Sequence, residues 1–165
     1  MIFGQEIPMR TSDLPPLDEV LYHKGSALLL DRVIEHTDLQ TIAHIDAGKS
    51  RWLQARDGSI PTWLAIEYMA QCMAAHEGLF SYIHNREVHG GFLMSVSRLK
   101  IHVVEIPIEM SLHVCSRPLR GRPELGAISH TCSIFTEEGG IESAPLAEGR
   151  LSVSVEKVVP TTDSI

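Results

Sequence analysis

A glutamate stands in the middle of a long apolar segment of the chain. Residues 59–80 read SIPTWLAIEYMAQCMAAHEGLF, in which Glu67 is followed by Gln71 one helical turn later. Burying an unpaired carboxylate is costly, so such a residue is retained where water, a partner or a substrate reaches it. A carboxylate in a closed site is suited to general acid–base catalysis. The residues alone fit equally well a narrow solvated stripe along a helix.

The start of the same segment offers a second group that could take part in chemistry. Pro61 suits the first position of a helix, so the backbone amides of Thr62 and Trp63 have no acceptor within that helix. They lie at the positive end of the helix dipole and could hold a carbonyl oxygen that gains negative charge during a reaction. Together with Glu67 they would form a site for thioester or enolate chemistry. Every helix offers such amides, so this feature is not specific by itself.

The periodicity of the chain predicts the elements that must position these groups. We predict strands at 28–37, 41–47, 91–104, 108–117, 127–135 and 151–159, and one long helix at 62–84. Strands that follow one another, rather than alternating with helices, indicate an antiparallel sheet. The helix is apolar nearly all round, so the sheet must largely wrap it. The predicted fold class is therefore α+β.

Composition and charge limit the kinds of protein this can be. With 165 residues, 44% of them hydrophobic and 21% charged, we expect one soluble domain over residues 1–165, with an irregular Pro-rich arm at 1–16. No apolar run is long enough for a signal peptide or a membrane span. The formal charge of −7 disfavours nucleic acid as a partner, and an acidic carrier protein would need a local basic patch.

Cysteines and histidines give no sign of a metal or disulfide framework. The three cysteines are widely spaced and form no CxxC pair, which indicates reduced thiols in a cytoplasmic protein. None of the nine histidines pairs at ligand spacing with a third ligand, so we expect no metal and no cofactor. His113 and His130 lie on alternating strands and fit sheet-face or core positions. His23, by its local sequence, fits a loop or a helix-end cap.

Two motifs, in order, resemble a known family. PTWLAIEYMAQ at 61–71 is similar to the Pro-Gly-x-Leu-x-x-Glu-x-Met-Ala-Gln helix of FabZ-type β-hydroxyacyl-acyl-carrier-protein dehydratases, which have the hotdog fold. LYHKGSALLLDRVIE at 21–35 resembles their Leu-Pro-His-Arg-x-x-x-Leu-Leu-Val-Asp-Arg-Val segment. The IEYMAQ core is similar to that of the ApeP-like dehydratases of aryl-polyene biosynthesis. This resemblance implies a dimeric hotdog protein with an antiparallel sheet wrapped around its central helix.

The resemblance also implies a reaction and the residues that perform it. In the family, a histidine removes the α-proton of a 3-hydroxyacyl thioester on acyl carrier protein, and the helix carboxylate protonates the leaving hydroxyl. The two groups come from different subunits. Carried over to this chain, Glu67 is the acid, Gln71 orients it, and the backbone of Thr62 and Trp63 binds the thioester carbonyl. Thr62 replaces the glycine of the family.

One departure from the family affects the catalytic base. The family's histidine lies in a Gly-His-Phe-Pro stretch fourteen residues before the carboxylate, where this chain has Leu53, and no histidine lies between His44 and His76. Three interpretations remain. His23 supplies the base; or a related, histidine-bearing hotdog subunit such as ApeI supplies it in a mixed dimer; or the chain is a non-catalytic subunit that binds acyl groups or stabilises a partner. A mixed dimer needs no new chemistry, because each subunit brings one half of the pair.

Two further motifs have more than one interpretation. VHGGF at 88–92 resembles the His-Gly-Gly of hotdog thioesterases but follows the helix instead of preceding it, so its glycines fit a tight turn or a close backbone approach. Thioester hydrolysis remains an alternative function, because a helix carboxylate could activate water. RPLRGRPELG at 117–126 places three arginines, Arg117, Arg120 and Arg122, at one hairpin tip. They could bind the phosphates of a pantetheine arm or lie in a solvated turn.

Overall fold

The computed structural model describes residues 8–87, 90–119 and 126–155 of the chain. Two helices and nine strands form its regular elements within those ranges. They are β1 Met9–Arg10, α1 Leu17–Val20, β2 Arg32–Thr37, β3 Gln40–Asp46, β4 Ile60–Pro61, α2 Ala65–Ile83, β5 Gly91–Ile101, β6 Glu105–Ile106, β7 Ser111–Pro118, β8 Ala127–Thr136 and β9 Ala147–Val155. No helix among the described residues is long and apolar enough to cross a bilayer.

Seven of the strands form one antiparallel sheet that packs against the long helix α2. Their order across the sheet is β1-β2-β3-β7-β8-β9-β5, and every neighbouring pair is antiparallel. Because β5 pairs with β9 alone among the described strands, it forms one edge of the sheet. The predicted α+β class, with an antiparallel sheet around one helix, is confirmed. That the whole of 1–165 is a single domain stays a prediction.

Helix α2 supplies most of the surface that the sheet covers. A 3₁₀ turn at Thr62–Leu64 leads into the α-helix at Ala65. Pro61 lies one residue before that turn, where it ends the short strand β4 and pairs with Glu105 of β6. The apolar and aromatic side chains that the helix buries include Tyr68, Met69, Cys72, Met73, Ala75, His76 and Leu79. The three cysteines, predicted to be reduced, are free thiols, and the fold buries all three.

Strand β7 shows why the alternating pattern was informative. Leu112 and Val114 are fully buried under α2, as the period of two predicts. The strand begins at Ser111, so Ile108 and Met110 precede it, although Ile108 is still buried. Two other strand boundaries differ from the prediction. The strand predicted at 91–104 ends at Ile101, and the strand predicted at 151–159 begins at Ala147. Its predicted residues 156–159 lie outside the described ranges.

The segment before β2 differs most from its prediction. Residues 28–31 were predicted as strand, but β2 begins at Arg32 and a 3₁₀ turn occupies Gly25–Ala27. The arm predicted as irregular contains a short strand, because Met9 pairs with His36 of β2. It is followed by the short helix α1, which the sequence analysis did not predict. Residues 1–7 of the arm lie outside the described part of the chain.

Two glycines allow close backbone contacts that shape the region around the helix. A Cβ at Gly78 would collide with the carbonyl oxygen of Val20, so α1 can lie directly on α2 only because residue 78 has no side chain. A Cβ at Gly91 would collide with the carbonyl oxygen of Ser154 on the neighbouring strand β9. The close backbone approach predicted for the Gly-Gly pair is therefore confirmed at Gly91.

Candidate active site

Glu67 lies in the first turn of α2 and faces a partly open space. Its side chain is 44% exposed, so water or a ligand can reach the carboxylate. The carboxylate is close to the positive end of the helix dipole, where a negative charge is stabilised. Gln71, one turn further along the same face, donates a hydrogen bond from Nε2 to Glu67 Oε1 at 2.8 Å. The carboxylate is therefore accessible but held in one orientation.

The amide of Gln71 is fully buried and joins the helix to the segment before β2. Its Nε2 also donates to the carbonyl oxygen of Ala27 at 2.7 Å, and its Oε1 accepts from the backbone N–H of Leu29 at 2.8 Å. The Gln71 amide therefore uses both N–H donors of its NH₂ group and its oxygen acceptor. The Leu29 N–H bonds to a side chain instead of a neighbouring strand, which explains why residues 28–31 do not continue β2.

His23 is brought to Glu67 by the chain that follows α1. Its Nε2 lies 3.5 Å from Glu67 Oε1, an ion-pair distance when the imidazole is protonated. Its Nδ1 is buried, with no hydrogen-bond partner among the described residues. The local sequence alone favoured a loop or capping histidine, whereas the fold places an imidazole and a carboxylate together within one chain.

Thr62 and Trp63 precede Glu67 by about one helical turn, at the start of the helical segment. Thr62 is half-buried, and the Trp63 side chain is 59% exposed. Amides in the first turn of a helix have no acceptor inside it. The backbone at 62–63 can therefore offer N–H groups to a ligand, and the Trp63 indole is accessible at the surface near them. That these amides bind a substrate carbonyl stays a prediction.

A cavity of about 460 Å³ extends from His23 along the second half of α2. Its lining is mostly apolar and includes Met73, Ala74 and Gly78 from the helix and Ile128 and Val153 from the sheet. Positions 74 and 78 follow Glu67 by seven and eleven residues, so they fall on the same side of the helix as the carboxylate. His23 lines this cavity and lies beside Glu67, so the cavity opens next to the pair.

Sequence reasoning missed a second polar cluster, buried between α2 and the sheet. His36 Nδ1 and His76 Nδ1 lie 2.7 and 2.9 Å from the hydroxyl of Thr41. The His76 ring meets that of His130 edge-on, with centroids 5.0 Å apart. Burial lowers the pKa of His76 to about 3, so this imidazole is neutral near pH 7. His130, for which the sequence left a sheet-face or a core position open, is fully buried, and Nε2 of its ring lies 2.8 Å from Glu77 Oε1.

The other candidate motifs contribute no described residue to the pair of His23 and Glu67. Arg117 donates from Nε to Gln40 Oε1 at 3.2 Å. Arg120 and Arg122, which the sequence analysis considered for phosphate binding, lie outside the described residues, and so does His89 of the VHGGF motif. Within the described ranges, no group of three or more His, Cys, Asp or Glu side chains could hold a metal ion.

The fold is that of the hotdog proteins, as comparison with solved structures shows. The dehydratase heterocomplex ApeI:P from Xenorhabdus doucetiae matches with a TM-score of 0.76 at 22% identity, covering 87% of this chain and 93% of that one. A hypothetical thioesterase from Streptococcus pneumoniae, solved with coenzyme A, matches with a TM-score of 0.57 at 9% identity over 75% of this chain and 84% of that one. A homologue of HP0420 from Helicobacter felis matches with a TM-score of 0.60 at 10% identity, covering 86% of this chain and 90% of that one.

The sequence itself identifies the family within this fold. A profile of the ApeP-like dehydratases, described as ApeP dehydratase, matches residues 15–161. The chain therefore belongs to the ApeP-like dehydratase family, and the predicted resemblance is confirmed. No curated protein matches the sequence.

Proposed function

We propose that this chain dehydrates 3-hydroxyacyl thioesters carried by acyl carrier protein to the 2-enoyl thioesters. The observation that carries the proposal is the approach of His23 Nε2 to Glu67 Oε1, at 3.5 Å, together with the apolar cavity that His23 also lines. Membership of a dehydratase family supports the reaction class. Eliminating water across two adjacent carbons uses a general base and a general acid, and an imidazole and a carboxylic acid can fill these two roles.

The proton transfers of the reaction balance within this pair. In the reacting form, the imidazole is neutral and the carboxyl carries a proton. The imidazole takes the α-proton, the electrons of that C–H bond form the new double bond, and the β-hydroxyl leaves as water with the proton of Glu67. An imidazolium then faces a carboxylate. Because the two atoms lie 3.5 Å apart, the proton can return to Glu67 and restore the starting state.

The start of the helix would assist by stabilising the thioester carbonyl. Removing the α-proton places negative charge on that oxygen, and the amides of Thr62 and Trp63 can donate to it. The acyl chain then extends along the helix toward Ala74 and Gly78, where the cavity is apolar. The exposed Trp63 indole would contact the pantetheine arm at the entrance.

We propose further that the active species contains a second hotdog subunit. The edge strand β5 is exposed on both faces: Phe92, Met94 and Leu93 have 66%, 63% and 43% of their surfaces accessible. A long apolar edge strand is a template for pairing with another chain. Because the fold resembles the ApeI:P heterocomplex from Xenorhabdus doucetiae, we propose that a different hotdog dehydratase pairs with this edge strand. Such a partner would complete the site and could bring its own catalytic histidine.

An assay of the chain with and without a histidine-bearing hotdog partner tests both proposals. Enoyl product is measured from a 3-hydroxyacyl carrier protein for the wild type, Glu67→Gln and His23→Gln. Glu67→Gln should abolish product formation, whereas the control Glu19→Gln, an exposed carboxylate on α1, should not. Loss of activity in His23→Gln even with the partner identifies His23 as the base. Full activity of that variant with the partner assigns the base to the partner, and wild-type activity of Glu67→Gln would refute the proposal.

Hydrolysis of the thioester is the second candidate. It is favoured by the 44% exposure of Glu67, which lets water reach a carboxylate that could activate it. The same assay separates the reactions, because hydrolysis releases a free thiol on the carrier and dehydration does not.

A further inference from the structure

Strand β5, the edge strand that we propose pairs with a second subunit, changes character along its length. Its first half carries the exposed apolar side chains of Phe92 and Met94. Its second half carries Arg98 and Lys100, which are also exposed. An edge strand recognises another chain through its backbone groups and through the side chains that oppose its own. The order of apolar and basic residues therefore limits which strands can pair with β5.

The basic half of this strand is only partly neutralised within the chain. Lys100 Nζ lies 3.3 Å from Glu148 Oε1, which also lies 3.5 Å from His102 Nε2. Arg98 and Arg150 line the same open groove and form no ion pair with any described residue. Among the described residues of this groove, one carboxylate therefore stands against three cations, in a chain whose formal charge is −7. This local excess of positive charge favours an acidic partner surface.

The backbone at Arg98 has an uncommon conformation. Its φ of 53° lies in the left-handed region, which residues other than glycine rarely adopt. Arg98 belongs to a bulge, because the pairing of β5 with β9 shifts register between Ser97 and Lys100. Such strain is characteristic of functional positions, and bulges on an edge strand restrict which chains can add to it. The bulge therefore makes indiscriminate pairing with this half of the strand unfavourable.

A second copy of this chain is a poor match for the edge. When two identical strands pair antiparallel over their full length, the two-fold axis passes through their midpoint, which is Val96 in β5. Counting outward from Val96 places Met94 opposite Arg98 of the other copy, and Phe92 opposite Lys100. The two-fold repeats each contact, so apolar side chains would oppose cations in both halves of the interface. Neither the apolar surface nor the positive charge finds its complement there.

The other side chains of the strand do not discriminate in this way. The same count places Leu93 opposite Leu99, which is an apolar pair. Backbone pairing and contacts of this kind are available to many edge strands, including a second copy. The choice of partner therefore depends on the row that contains Arg98 and Lys100.

We infer that Arg98 and Lys100 select the second subunit, because they favour a hotdog edge strand with carboxylates opposite them and disfavour a second copy of this chain. The inference rests on the proposed function, since it takes β5 as the strand that the second subunit covers. A fitting partner strand is acidic in the half that faces Arg98 and Lys100. It is apolar in the half that faces Phe92 and Met94.

Giving the strand its own complement tests the inference in the chain alone. The double substitution Phe92→Glu and Met94→Glu places a carboxylate opposite each cation of a second copy, so this variant should self-associate. The matched control, Phe92→Gln with Met94→Gln, removes the same apolar surface without adding charge. In sedimentation at low salt, we expect the Glu variant to dimerise about tenfold or more tightly than the Gln variant, and the wild type to be monomeric. High salt should remove the difference, because exposed ion pairs are screened.

Charge reversal at Arg98 tests the same contact in the complex. Binding is measured between this chain and the histidine-bearing hotdog partner of the dehydration assay. Arg98→Glu should weaken binding by about tenfold or more, because like charges would then face each other. Arg10→Glu changes an exposed arginine on β1, at the opposite edge of the sheet, and should bind as the wild type does. Unchanged unfolding midpoints of both variants show that the effect does not come from loss of the fold.

The outcomes separate this inference from the proposed function. Equal self-association of the Glu and Gln variants, a wild-type dimer that Met94→Lys dissociates, or full partner binding by Arg98→Glu would overturn the selection of partners alone. Saturating partner should restore dehydration by Arg98→Glu, and a variant that stays inactive would overturn it as well. The absence of enoyl product from the wild type, alone and with its partner, would instead refute the proposed function, whatever sedimentation shows.

Discussion

Gln71 and Glu67 are joined by a hydrogen bond of 2.8 Å between the amide Nε2 and the carboxylate Oε1. The same amide binds the backbone at Ala27 and Leu29, so one buried side chain couples the carboxylate to the segment that follows His23. The relative position of imidazole and carboxylate therefore depends on a residue that need not touch the substrate.

Replacing Gln71 by Met should lower both stability and activity. The variant keeps the size of the side chain but leaves the Leu29 N–H and the Ala27 carbonyl without their partner, a loss of about 1–3 kcal/mol in the free energy of unfolding. Because Glu67 also loses its orienting donor, kcat should fall more than KM changes. Urea unfolding and steady-state dehydration measure the two effects. Gln40→Met, away from the site, is the control, and an active Gln71→Met enzyme of unchanged stability would contradict the role.

Replacing Met94 by Lys should prevent association with the second subunit. Met94 is 63% exposed on the edge strand β5, so the substitution costs the isolated chain little but places a charge where we propose that another strand pairs. Sedimentation should show the variant unassociated while its unfolding midpoint stays close to the wild type. Leu39→Lys is the matched control, because Leu39 is 72% exposed at the turn between β2 and β3, near the other end of the sheet. A Met94→Lys chain that still binds its partner would place the interface elsewhere.

The free energy of unfolding should fall as the pH drops below 6.5. Burial lowers the pKa of His76 from 6.5 to about 3 in the folded protein, so between these values the unfolded chain binds the extra proton. The stability of the neutral form is fully present above pH 6.5 and is lost at about 1.4 kcal/mol per pH unit below it. Urea unfolding from pH 5 to pH 8 gives the slope.

The variant His76→Gln tests whether His76 causes this dependence of stability on pH. It removes the titrating group, so its stability should depend less steeply on pH. Some dependence remains, because burial also lowers the pKa of His36. The same slope in the variant and the wild type would show that His76 is not the source.

Replacing Gly78 by Ala should destabilise the fold and disturb the cavity. The added methyl would collide with the Val20 carbonyl, so α1 must move away from α2, at a cost of about 1–3 kcal/mol. Because His23 follows α1, its distance to Glu67 should change and activity should fall as well. Ser81→Ala, on the same helix and the same cavity wall, is the control for an added helix-favouring alanine. Wild-type stability of Gly78→Ala would mean that α1 can shift without cost.

Much of the fold could be predicted from the sequence because it follows from the local spacing of apolar residues. The alternation that buries Leu112 and Val114 and the long apolar run of α2 both depend on residues close in the chain. The 28–31 segment was predicted wrongly because its Leu29 N–H is captured by Gln71, a contact between distant residues. Motif similarity pointed to Glu67, Gln71 and His23 as site residues, and their roles stay predictions.

The contacts that complete the candidate site could not be predicted, since they arise only when distant elements pack. Glu77 looks like an exposed helix carboxylate, and His130 like an ordinary strand residue. Their hydrogen bond needs α2 to cross β8 at one register. The approach of His23 to Glu67 likewise depends on α1 resting on Gly78.

The uncovered edge of β5 has a consequence for how the protein is made. If the proposed pairing holds, a newly synthesised chain exposes this apolar edge strand until the second subunit covers it, and exposed edge strands promote aggregation. We expect the two polypeptides to be produced in balanced amounts, with surplus copies of either one cleared or precipitated.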